Sequence, residues 1–242
     1  AVTRRRLVDF LLLKIEVWLK GGEEMNFKRR ISGVILAFVC AGCLFCCCIT
    51  FVLYFKPFYY WEIGQLGIVE LSGMDREEIA KNYDALIRYN LLWNRDELTL
   101  PDFPVSESGR IHFQEVKAVF DIVQCGAAAG LIVSVVWGIY KIRKREVQFL
   151  YGAALLGIFA PVLLGLWMLF DWDSLFYTFH DVVFQNSYWL FDPSTDPVIT
   201  ILPDSFFLHA AILILCGLLI GSVSFLATGC FLHRRFKKQQ NK

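Results

Sequence analysis

An excess of one charge sign is the first thing this chain lacks: across 242 residues, 24 Lys and Arg stand against 23 Asp and Glu, a formal net charge of +1. That balance excludes a polybasic nucleic-acid binder. Charged residues make up 19% and hydrophobic residues 56% of the chain, which excludes a disordered polypeptide, and 17 Gly with 7 Pro exclude a collagen-like repeat. The motifs of common soluble enzymes are missing too. There is no G-x-S-x-G elbow, H-E-x-x-H pair, P-loop or G-x-G-x-x-G turn.

What is present is apolar residues gathered into runs. A mean hydropathy of +0.49 comes from four stretches at 31–55, 122–140, 149–170 and 206–232 that are almost free of charge. Each is close to the roughly 20 residues that cross a hydrocarbon core about 30 Å thick. An amphipathic run from Ile111 leads into the second stretch and extends the same helix. The expected fold class is an all-α membrane protein: four transmembrane helices, with a small extracytoplasmic domain built from two outer loops.

Lys and Arg set the expected orientation, because short basic loops stay in the cytoplasm. Lys28, Arg29 and Arg30 precede the first span, Lys141, Arg143, Lys144 and Arg145 join the second to the third, and Arg234, Arg235, Lys237 and Lys238 follow the fourth. Residues 1–30, 141–148 and 233–242 are therefore expected inside, and the loops 56–121 and 171–205 outside. The second outer loop carries six Asp and no Lys or Arg.

Residues 1–24 admit two readings. Met25 is the first methionine, and Gly21, Gly22, Glu23 and Glu24 are what a purine-rich bacterial ribosome-binding site would encode, so 1–24 reads as upstream sequence before a start at Met25. The rival is an interfacial helix, with Val8, Leu11, Ile15, Trp18 and Leu19 on one face and Arg6, Asp9, Glu16 and Lys20 on the other. No small-x-small site follows an apolar core, as a cleaved signal peptide would require.

Eight cysteines raise the question of metal or redox chemistry, yet none falls in an outer loop, where oxidation would make disulfides. Cys40, Cys43, Cys46, Cys47 and Cys48 lie in the first span and Cys125, Cys216 and Cys230 in or beside others. Cys40, Cys43 and Cys47 form a helical stripe without an acidic or His partner, which favours packing over a soft-metal site. Gly126/Gly130 and Gly217/Gly221 are small-x-x-x-small pairs that bring helices close. Intramembrane ionisable residues are too few for a proton-coupled pathway. Any chemistry is therefore expected at the outer membrane surface.

Two outer segments carry candidates. In 103–120, Ser and Gly precede a helix on which Glu115 follows His112 by three residues on one face, while Lys117 and Asp121 pair at i,i+4. In 176–184, Phe176, Phe179, His180 and Val183 share a face, setting a histidine at the depth of lipid esters. A lone His on an apolar face is ordinarily a structural donor, and His209 and His233 stay in that class. Past His180, Pro193, Pro197 and Pro203 forbid a continuous helix, and Tyr188, Trp189 and Phe191 suit the headgroup layer.

The stretches Ser-Glu-Ser-Gly-Arg-Ile-His112-Phe-Gln-Glu-Val-Lys117 and Phe-His180-Asp-Val-Val-Phe-Gln-Asn186-Ser-Tyr-Trp189-Leu-Phe-Asp192-Pro-Ser-Thr-Asp196-Pro-Val-Ile resemble the two signatures of the bacterial lipoprotein intramolecular transacylase family. The resemblance runs from Met25 over nearly the whole chain, with Glu115 where many relatives are expected to carry Asp. It implies a bacterial cell-membrane acyltransferase acting at the outer face on a diacylglyceryl-modified cysteine. The sn-2 acyl chain would move to the α-amino group of that cysteine, giving a lyso-form lipoprotein. The implied catalysts are His112 and His180, with no cofactor and no metal; Glu115, Lys117, Asn186, Trp189, Asp192 and Asp196 are expected to orient imidazoles or substrate. Implied partners are a diacylated lipoprotein and membrane lipid, with no nucleic acid. Three alternatives remain: a non-enzymatic docking or assembly protein, a metal handler using the cysteines, and a relative acting on another lipid ester.

Overall fold

The computed structural model describes residues 27–240; both readings of 1–24 lie outside them. The described residues are helical, with no strand. Four helices are long and apolar enough to cross a membrane: α1 (Phe27–Tyr54), α5 (Glu107–Arg143), α6 (Gln148–Phe170) and α8 (Asp204–Gln240). The second and fourth run well beyond their apolar stretches. The opening turns of α5 carry Glu107, Arg110, His112, Glu115, Lys117 and Asp121, and the closing turns of α8 carry Arg234, Arg235, Lys237 and Lys238. At about 1.5 Å per residue, 37 residues reach about 55 Å, far more than a hydrocarbon core needs. Their lateral surfaces are apolar and uncovered: Ile132 is 65% exposed, Phe170 86% and Ile220 69%. Surfaces of that kind are stable against lipid tails and not against water.

The loop 56–121 contains α2 (Lys56–Gln65), α3 (Ile68–Ser72) and α4 (Arg76–Tyr89). Pro57 opens α2, where a missing N–H costs nothing. Gly67 and Gly73, at φ 60° and 71°, bracket α3 in left-handed backbone that a side chain would strain. Asp75 and Glu78 form a capping box at the start of α4. The loop 171–205 contains α7 (Trp172–Phe184) and a 3-10 turn (Pro197–Ile201). Asp171 caps α7 by accepting from the Ser174 N–H at 2.9 Å.

The chain divides into two compact units to which the four long helices all contribute. The described residues of one are 27–44, Ala129–Ala160 and 218–240. Its core is Leu36, Ala37, Cys40, Val147, Phe149, Leu150 and Ala153, and its glycines mark close contacts, Gly130 against Cys43 among them. There, the buried Lys141 bonds Glu146 at 2.6 Å.

The other unit, Phe45–Ala128 with Pro161–Gly217, holds both loops. Tyr59, Ile63, Ile68, Ile79, Tyr83, Val198 and Ile201 form its core, and the buried Tyr59 hydroxyl is satisfied by the Ile201 carbonyl at 2.7 Å. Gly126 meets Cys46 and Gly217 meets Cys48, so these span-one thiols fill helix contacts. The start of α5 is clamped by the second loop: the Ser106 N–H donates to Asp196 Oδ1 at 2.8 Å, and Ser106 Oγ accepts from the Gly109 N–H at 3.0 Å. A Cβ on Gly109 would run into the Asp196 carboxylate and press on Phe191. Gly109→Ala is therefore expected to cost about 1–3 kcal/mol of stability, the usual range for overpacking. Thermal unfolding in detergent reads it, with Gly33→Ala, inside α1 where a Cβ meets nothing within 4 Å, as the control whose melting temperature holds or rises slightly.

Candidate active site

Helix α5 points one residue of its signature stretch into the core and holds the preceding one beside a ring of aromatics. Phe113 enters the core, while His112, itself 6% exposed, lies edge-on to Phe184 and Phe191 with ring centroids 4.7 and 5.4 Å away. Helix α7 supplies His180, set against Phe176 at 4.2 Å and stacked on Trp189 at 4.6 Å. The two imidazoles stand 6.3 Å apart, close enough to flank one tetrahedral carbon. Aromatic rings enclose both.

Backbone geometry sets the tautomer of His180. Its Nδ1 is 2.7 Å from the Phe176 carbonyl oxygen one turn back, and because a carbonyl only accepts, Nδ1 carries the proton. In the neutral ring the lone pair is then on Nε2. Burial lowers the His180 pKa, opposed by the Phe176 carbonyl and the charges of Asp181 and Asp204. His112 is pushed further: burial, helped by the charge of His180, takes it down to about 4. Both rings are neutral at pH 7, and His112 stays neutral even in mild acid.

Asn186 ties the segment after α7 to α5. Its Nδ2 donates to Glu115 Oε1 and to the Phe184 carbonyl, each at 2.8 Å, and its Oδ1 accepts from the Tyr188 N–H at 3.0 Å. Gln185, in left-handed backbone at φ 50°, ends α7 and turns the chain toward this bracket. Three buried polar atoms around the histidines have no hydrogen-bond partner in the protein: His112 Nδ1, Glu115 Oε2 and Trp189 Nε1. Native cores seldom leave such groups unpaired, so each calls for a partner from outside the chain.

Five of the residues expected from sequence thus come together: His112, Glu115, His180, Asn186 and Trp189. Glu115 bonds Asn186 rather than orienting the imidazole one turn before it. Three stand elsewhere. Lys117 donates to the Leu91 carbonyl at 3.1 Å and to Asp121 at 3.3 Å, beside the Tyr89 ring. Asp192 folds its own turn through Ser194, which holds its carboxyl below the usual range. Asp196, 2% exposed, braces the start of α5. Sequence reasoning missed Glu62: it is fully buried on α2, with both oxygens 3.0 Å from His209 Nδ1. His209 keeps the structural role expected of it, through a partner 147 residues away.

The family described as lipoprotein intramolecular transacylase Lit matches residues 34–207. The chain belongs to that family. The lipoprotein intramolecular transacylase Lit of Bacillus cereus, a membrane-integral protein, is 34% identical, with a TM-score of 0.85 over 90% of this chain and 100% of the other. Two variants of the Bacillus protein, with a histidine replaced by arginine or by alanine, match at 35% identity and a TM-score of 0.78 over 88% of this chain and 94% and 96% of theirs. No curated protein matches. Membership of the Lit family puts the chain among membrane-integral transacylases.

Proposed function

We propose that this chain moves the sn-2 acyl chain of a diacylglyceryl-cysteine lipoprotein to the α-amino group of the same cysteine, at the outer face of a bacterial membrane and with both termini in the cytoplasm. The observation that carries the proposal is the facing pair of neutral imidazoles, one with its tautomer fixed by the Phe176 carbonyl.

The free amine attacks the sn-2 ester carbonyl, a C–N bond forms, and the C–O bond to glycerol breaks. The proton lost by the amine must reach the departing glycerol oxygen. His180 suits that transfer, because its Nε2 lone pair accepts the proton and can then deliver it. His112 suits a different role, since an imidazole that protonates only near 4 is a poor base but remains a neutral N–H donor, fit to bond the oxyanion of the tetrahedral intermediate. Donor and acceptor share one molecule, so holding them in attack geometry supplies much of the rate and no enzyme nucleophile is required. The aromatic walls from Phe176, Phe184, Trp189 and Phe191 keep water from the ester. Asp192 and Asp196 shape the loop that carries Trp189, and Lys117 fastens α5 to the first loop. Arg and Lys clusters at the ends of the spans support the orientation.

The test is tandem mass spectrometry of an abundant lipoprotein's N-terminal peptide from cells with and without the protein. The product is an isomer, so fragments and not total mass carry the answer. Amide-linked acyl at the cysteine nitrogen is expected only when the protein is present; ester-linked chains in both samples contradict the proposal.

The pH profile follows from the same groups. Burial lowers the pKa of His180, the proton acceptor, so the acid limb of kcat/KM is expected to follow the substrate amine first, near 7.7, with a slope of one, and to steepen to a slope of two only below the ordinary imidazole range, where His180 takes up its proton. An imidazole base with an ordinary pKa near 6.5 would bring that steepening at about 6.5.

A further inference from the structure

Glu115 presents one oxygen to Asn186 at 2.8 Å and leaves the other, Oε2, buried and without a partner in the protein. A carboxylate oxygen out of water and unpaired is costly, and a cation with an N–H to donate offsets that cost best. The nearby basic side chains of α5 are engaged elsewhere: Lys117 with Asp121 and the Leu91 carbonyl, Arg110 with Glu107 at 2.6 Å. The imidazole on the same helical face, His112, is neutral. A ligand must therefore bring the cation.

We infer that Glu115 Oε2, held in place by Asn186, is the seat of the substrate's α-ammonium group. The inference rests on the function proposed above, whose substrate carries one primary amine at its modified cysteine. With a pKa near 7.7 that amine arrives largely protonated at neutral pH. Glu115 lies one turn after His112, and residues three apart are neighbours on a helix face. The nitrogen is thus placed beside the imidazole that bonds the ester oxygen, and the ammonium gives its extra proton to Glu115 Oε2 before the free amine attacks as described above. Selectivity follows: a lipoprotein whose α-amine is already acylated has no cation to offer and is discriminated against before any chemistry begins. An aspartate at this position retains the charge and shortens the reach.

Binding without turnover tests this. A glyceryl-cysteine peptide with ether-linked chains in place of both esters cannot transfer an acyl group, and it can be made with a free or an acetylated α-amine. Binding of both forms is measured with the full chain in nanodiscs at about pH 6.5, below the amine pKa, for the wild type, E115Q and E115D. The Gln variant keeps an oxygen to accept from Asn186, so the bracket survives. The expected result is that E115Q weakens the free-amine form about tenfold or more, as loss of a charge-assisted bond does. Binding of the acetylated form stays unchanged, E115D retains the preference, and the wild-type preference shrinks at about pH 9, where the amine is neutral. If E115Q binds the free-amine form as well as the wild type does, the inference is overturned while the proposed function stands. If neither form binds the wild type, both fall.

Discussion

Replacing His180 with alanine is expected to lower acyl transfer by about 100- to 10,000-fold, the range lost when a positioned acid–base group is removed. His180 has the one ring nitrogen in the site whose protonation state the backbone dictates, through the 2.7 Å bond from Nδ1 to the Phe176 carbonyl. Without it the amine proton has no acceptor, and the glycerol oxygen no donor. His112→Ala removes an oxyanion donor, for which the expected loss is about 100- to 1,000-fold. The two substitutions should be strongly non-additive, since both act on one tetrahedral intermediate. His112→Asn separates the roles further. An amide N–H can bond an oxyanion but cannot carry a proton, so this variant should recover part of the activity, whereas His180→Asn should recover none. Initial rates on a diacylglyceryl lipopeptide, with thermal unfolding to confirm folding, check all four variants. Recovery at His180 and not at His112 would reverse the assignment.

The second large effect concerns stability. Glu62 is fully buried, and His209 Nδ1 lies 3.0 Å from both of its oxygens, pinning α2 to the first turns of α8. His209→Ala leaves a buried carboxyl group with no partner, and removing one member of such a pair costs about 3–5 kcal/mol when both are buried. The His209 side chain is 39% exposed, so about 2–3 kcal/mol is the better expectation. Replacing both residues by leucine removes the orphan and should restore most of the loss. Melting temperatures of Glu62→Leu, His209→Leu and the double variant form the cycle. If His209→Ala is neutral, the pair does not anchor these helices.

The number of long apolar helices was legible in the sequence because run length alone decides whether a segment can cross a bilayer. The extension of α5 ahead of its apolar part was legible from Ile111 onward, since charge on one face and apolar residues on the other continue the helical period. The two histidines stood out through their signature stretches, where a resemblance to known proteins added what spacing could not. Other contacts carried no local signal. Asn186 reaches Glu115 across 71 residues and His209 reaches Glu62 across 147, and no periodicity encodes a partner at that separation. Lys117 and Asp196 show how little a signature says about role. Each stands inside a signature and is expected from sequence to orient an imidazole or the substrate, and in the structure Lys117 bonds the Leu91 carbonyl while Asp196 accepts from the Ser106 amide. A polar residue within a signature supports a fold or a reaction with equal ease, and the hydrogen-bond partners decide which.

In the proposed reaction one molecule's sn-2 acyl chain becomes its own N-acyl group. The most direct measurement uses purified protein and a synthetic diacylglyceryl lipopeptide whose sn-2 chain alone is isotopically labelled, mixed with an unlabelled lipopeptide of different peptide mass. Fragmentation then locates the label. Intramolecular transfer predicts label on the cysteine nitrogen of the peptide that carried it, and none on the second peptide. Label remaining in the glyceryl ester, or appearing on the nitrogen of the other peptide, would contradict it.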